Sequence, residues 1–134
     1  MASRSKIASS RSPSKLGLGV GIFVLTLGTA LIHLYLGLGI GNTLFVLNGL
    51  GYLGLLAALQ LPIPQLACLR YVVRWVLAAY TALTIVLWLV MASYYSIIGY
   101  ADKAIEVVLI GLLIADAYTA SSERTSLTYE RSPV

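Results

Sequence analysis

Four long apolar runs, separated by short polar or glycine- and proline-bearing breaks, dominate the chain. They read as helices at about Leu16–Leu36, Thr43–Leu61, Tyr71–Ala92 and Ala101–Tyr118. The first has 21 residues. At a rise of ~1.5 Å per residue it reaches about 31 Å, enough to cross a hydrocarbon core of ~30 Å. Helical spacing sorts each run into faces. Thr26, Thr29, Ala30, His33 and Gly37 share one face of the first run. Asn48, Gly51, Tyr52 and Leu55 share one face of the second. Leu77, Thr81, Thr84, Trp88 and Met91 do so on the third, with Tyr80 beside them. Faces built from small and hydroxyl residues suit close helix–helix approach.

The breaks are equally readable. Gly37–Gly41 predicts a turn, and Asn42 predicts the N-cap of the second helix. Pro62 and Pro64 end that helix, because proline cannot extend it and restricts the residue before it. Ser93–Tyr100 predicts an uncharged aromatic loop, with Tyr94, Tyr95 and Tyr100 suited to a membrane interface. LGLGVG at Leu16–Gly21 recurs as LGLGIG at Leu36–Gly41. We read this as glycine-rich low complexity rather than an inverted duplication, and not as a phosphate loop, since no strand–turn–helix context surrounds it.

Composition turns this pattern into a class. The chain has 134 residues, 59% hydrophobic and 10% charged, against about 25% charged in a soluble domain. The expectation is an all-α, four-helix transmembrane bundle over residues 16–118. A disordered basic tail (1–15) and a disordered polar tail (119–134) flank it. The N-terminal tail also has the composition of an organellar transit peptide. The net charge of +4 forms no basic stripe, so nucleic acid is not an expected partner. Of nine Lys and Arg residues, all but Lys103 fall at one end of the bundle or in the tails. That bias predicts both termini cytoplasmic.

Candidate chemistry is confined to a few positions. One cysteine, Cys68, and one histidine, His33, exclude an internal disulfide, a thiolate zinc site, an iron–sulfur cluster and a bis-histidine haem. No nucleophile–base pair and no metal-ligand spacing is legible, so neither catalysis nor a metal is expected. The fourth run is the exception to apolarity: Asp102, Lys103, Glu106 and Asp116 interrupt it. Charges inside a span face protein or water and often mark function. Measured from the outer helix ends, His33, Asn48, Trp88 and Glu106 all lie roughly 5–10 Å deep at ~1.5 Å per residue. With Lys103 they form the candidate polar or ligand site. Its plainer meaning is interhelical hydrogen bonding. Asp102 is expected in the first helical turn, where the dipole favours an acid. Lys103 and Glu106, spaced i, i+3, are expected to pair. On the same helix Ala104, Val108, Gly111 and Ala115 form a small-residue stripe that predicts docking of a second subunit or a second copy.

Three strings, IHLYLG (Ile32–Gly37), FVLNGLGYLGLLAAL (Phe45–Leu59) and YADKAIEVVLI (Tyr100–Ile110), resemble an uncharacterised family of small four-span prokaryotic membrane proteins. The resemblance covers residues 16–118 and implies a prokaryotic inner-membrane location. It transfers no activity. The expected role is a non-catalytic accessory or scaffold subunit of a larger membrane complex, respiratory or photosynthetic. The alternatives are a small oligomeric transporter or proton-coupled carrier, and a pigment- or quinone-binding subunit. No cofactor is specified.

Overall fold

The computed structural model describes residues 13–61, 69–91 and 96–130, with side chains for 14–61, 69–91 and 96–122. Every regular element among them is an α-helix: α1 (Pro13–Ile40), α2 (Thr43–Gln60), α3 (Arg70–Met91) and α4 (Ile97–Glu130). Each helix packs on the next, and α4 closes the bundle against α1. Three of them, α1, α2 and α3, are long and apolar enough to cross a membrane. The charges within α4 set it apart from these.

The helix ends differ from the sequence reading in physically clear ways. α1 starts at Pro13, since proline has the backbone angle of a first helical turn and lacks only an amide that is unpaired there. Gly37, expected in a turn, is helical and buried. A Cβ at Gly37 would sit 2.7 Å from the backbone nitrogen of Val46, so this glycine lets α2 approach α1. The turn comes later, at Gly41, whose φ of +67° favours glycine. The Asn42 amide donates to the Gly37 carbonyl at 2.9 Å, closing α1. Asn42 then caps α2, its side chain accepting from the Leu44 amide at 3.0 Å, as the sequence leads one to expect.

The polar C-terminal segment, expected to be disordered from residue 119, continues α4 to Glu130. No glycine or proline lies between Leu112 and Ser132 to stop it. Thr119, Ser121 and Ser122 each return a hydroxyl to a carbonyl one turn back, at 3.0, 2.8 and 3.1 Å. Residues 1–12, the proline loop with Cys68, the Ser93–Tyr95 part of the aromatic loop and residues 131–134 lie outside the described residues.

The core is a narrow column. On α4 the buried positions include Asp102, Lys103, Glu106, Leu109, Leu113 and Ala117. On α1 they include Ile22, Thr26, Thr29, Ala30 and His33. The two helices run antiparallel, with Gly21 beside Leu112 and His33 beside Asp102. The column is therefore ionic at one end and apolar below, where Ile22, Leu77, Ala78, Leu109 and Leu113 meet. Thr26 and Thr81 lie in this lower part. Their hydroxyls donate to the Ile22 and Leu77 carbonyls at 2.6 and 2.8 Å, which occupies their protons within their own helices. Large apolar side chains such as Leu31, Leu47, Leu87 and Val107 point outward.

Candidate functional site

The ionic end of the column draws on all four helices. α4 supplies Asp102, Lys103 and Glu106. One helical turn separates the first from the last, so both carboxylates face inward. Asp102 is 2% exposed and Glu106 fully buried. Charges this deep need partners, because desolvation is costly. The Lys103 ammonium lies 3.1 Å from Asp102 Oδ2 and 2.5 Å from Glu106 Oε2. The i, i+3 pair expected from the sequence is thus present, and it is extended by Asp102. Asp102 itself is not in the first turn, since α4 begins five residues earlier, at Ile97. It is a buried acceptor inside the bundle rather than a residue at the helix terminus.

Hydroxyls complete the carboxylates. Thr29 of α1 donates to Asp102 Oδ1 at 2.7 Å. Tyr52 of α2 donates to Glu106 Oε1 at 2.8 Å. Thr84 of α3 stands 2.9 Å from the same oxygen and 2.8 Å from the Thr81 carbonyl, so its one proton is shared between two acceptors. Every carboxylate oxygen therefore faces a donor, the arrangement that suits two ionised acids.

His33 is buried, at 3% exposed, one turn from Thr29 on α1. Its Nδ1 lies 2.9 Å from the Thr29 carbonyl oxygen and 3.6 Å from Asp102 Oδ2. A carbonyl only accepts, so Nδ1 carries a proton. Nε2 is turned toward Glu106 Oε1, 4.0 Å away. Phe45 and Tyr52 flank the ring, each with a centroid distance of 5.7 Å. One ligand-type atom from each of His33, Asp102 and Glu106 lies within 4.8 Å of the other two. The structure thus assembles a donor set that no sequence spacing displays, because its members come from the first and last helices.

Of the residues proposed from sequence, His33, Lys103 and Glu106 come together. Asn48 does not join them. Its side chain is half-buried, and its backbone carbonyl accepts from Tyr80 Oη at 3.2 Å. Tyr52, one turn further along α2, takes the place foreseen for Asn48. Trp88 is also apart. It packs edge-on against Tyr100 at 5.1 Å, toward the Met91 end of α3. Asp116 meets Arg74, Nε to Oδ2 2.8 Å, at the opposite end of the bundle. Ala104, Val108, Gly111 and Ala115 all face outward, with open space around Gly111. Sequence reasoning placed Thr29, Tyr52 and Thr84 on the right faces but gave them only packing roles. The signal that marks them is a hydroxyl at the depth of a buried carboxylate.

No protein-family model, curated protein or solved structure matches the chain.

Proposed function

We propose that the chain is a non-catalytic integral membrane protein, an accessory or scaffold subunit of a larger membrane complex, in which the ionic cluster clamps four helices into one register. One observation carries this reading. Glu106 Oε1, a single buried oxygen of α4, accepts from Tyr52 of α2 and Thr84 of α3 and lies 4.0 Å from His33 of α1. A clamp of this kind fixes how the helices stand, and hence the shape of the outer surface. The apolar outward faces of α1, α2 and α3 support insertion in a bilayer. The Lys/Arg bias fits both termini cytoplasmic, and the resemblance to small four-span prokaryotic proteins implies an inner membrane.

The alternative is a small proton-coupled carrier. The cluster of ionisable groups favours it, and the apolar layer of Ile22, Leu77, Leu109 and Leu113 below the cluster weighs against it. A carrier needs a polar path on both sides of its site. The test has two arms. Native purification in mild detergent should yield an assembly with a second protein at fixed stoichiometry. The purified chain in proteoliposomes should pass neither protons nor alkali cations. Flux through the chain alone would replace the subunit reading with the carrier.

A further inference from the structure

We propose that His33, Asp102 and Glu106 form a binding site for a first-row divalent transition-metal ion, with the Lys103 ammonium as a tethered cation that the ion displaces. The inference concerns the same cluster as the clamp. It stands on the donor set and not on the presence of a partner subunit.

Three observations support it. The first is the donor set: one imidazole nitrogen and two carboxylates, all buried, with ligand atoms within 4.8 Å of one another. Mixed nitrogen and oxygen donors suit zinc, manganese, iron or cobalt. Calcium and magnesium call for oxygen alone and more of it. The second is orientation. A metal-bound histidine almost always donates its other ring N–H to a carbonyl or carboxylate. His33 does so already: Nδ1 donates to the Thr29 carbonyl at 2.9 Å, which leaves the Nε2 lone pair directed toward Glu106. The carboxylates are held in the same way, Asp102 by Thr29 at 2.7 Å and Glu106 by Tyr52 at 2.8 Å. Outer groups from α1 and α2 thus aim the donors.

The third observation is charge. With a neutral imidazole, the two carboxylates and Lys103 sum to one negative charge in a buried site. A divalent ion with Lys103 withdrawn makes the sum zero. Lys103 is the least buried of the cluster's ionisable residues, at 9% exposed. Its long apolar stem lets the ammonium reach water while the stem stays packed. The exchange is one cation for another, and no bond other than coordination forms or breaks.

The test uses full-length chain without a histidine tag, stripped with chelator in detergent and titrated with Zn²⁺ and with Co²⁺ as a spectroscopic probe. One ion should bind per chain, and Co²⁺ should show visible bands of a nitrogen- and oxygen-ligated ion. His33→Gln should abolish those bands. Tyr52→Phe should weaken binding about tenfold, the usual effect of losing an outer-shell partner. Lys103→Met is the discriminating variant. It should bind Zn²⁺ more tightly than the wild type, and Zn²⁺ should raise its melting temperature. A cluster that only clamps helices would instead be weakened by Lys103→Met, with no response to zinc. Absence of Co²⁺ bands in folded wild type, or equal binding by His33→Gln, overturns the site. If Lys103→Met fails to fold, the wild-type and His33→Gln spectra decide alone. Loss of the metal with an intact native assembly would leave the clamp reading standing, and the reverse result would separate them equally well.

Discussion

Removing Glu106 leaves the Lys103 ammonium buried with only Asp102, and leaves the Tyr52 and Thr84 hydroxyls, 2.9 Å apart, without their charged acceptor. Truncating one member of a buried ionic set costs about 3–5 kcal/mol. Glu106→Ala should lower stability in detergent by that order, read from thermal unfolding followed by circular dichroism. Tyr52→Phe tests a single bond. Interhelical hydrogen bonds in membrane proteins average ~0.6 kcal/mol, whereas bonds to charged acceptors are worth about 1.5–3 kcal/mol. The acceptor here is a carboxylate with no exposure, so the upper range applies. Asn48→Ala should change stability by no more than about 0.5 kcal/mol, the scale of a substitution away from buried networks. A larger loss at Asn48 than at Tyr52 would contradict the assignment of donors. Depth along the helices was enough to bring His33 and Glu106 to one level from sequence. Depth alone does not fix the angle around an axis against a neighbour. Asn48 and Tyr52 share a face by spacing, yet only Tyr52 has the length and position to reach Glu106.

At the scale of single helices, spacing was the reliable signal and boundaries were not. The inward face of α1 from Thr26 to Gly37 is buried as its period predicts. Its end was misplaced because Gly37 looks like a turn residue in sequence, while its use is close approach to α2. α4 ran past Tyr118 because hydroxyl residues that suit a disordered tail can also satisfy helix carbonyls. Glycines separate into two kinds, and mutation should show it. A Cβ at Gly49 would meet the Ala30 carbonyl oxygen at 2.9 Å and Leu34 Cγ at 2.7 Å, so Gly49→Ala should force α1 and α2 apart and lower the melting temperature. Gly111 has nothing within 4 Å. Gly111→Ala should raise stability by about 0.5–1 kcal/mol through backbone entropy alone. Equal effects at the two sites would show that the α1–α2 contact is looser than described.

For the whole molecule, the charge bias predicts an orientation with both termini cytoplasmic. With Cys68 replaced, an impermeant thiol reagent added outside should label Ser96→Cys, next to α4, and spare Ser10→Cys; the opposite pattern inverts the topology. The outward stripe of Ala104, Val108, Gly111 and Ala115 is where a neighbouring helix would come closest. Gly111→Leu should fold as a monomer, given the open space there. If the stripe docks a subunit, that variant should migrate in native gels without its partner.

The apolar plug of Ile22, Leu77, Leu109 and Leu113 has an electrical consequence. In a bilayer the voltage falls mainly across low-dielectric material, and with the cluster roughly 5–10 Å from one set of helix ends at ~1.5 Å per residue, most of that material lies on the side of the plug. A full crossing of the membrane is worth about 2.3 kcal/mol per elementary charge at 100 mV. With both termini inside, as the charge bias predicts, an ion passing between the outer water and His33, Asp102 and Glu106 would cross only a minor part of that drop. Its binding would therefore follow the composition of the outer solution and change little with the energisation of the cell.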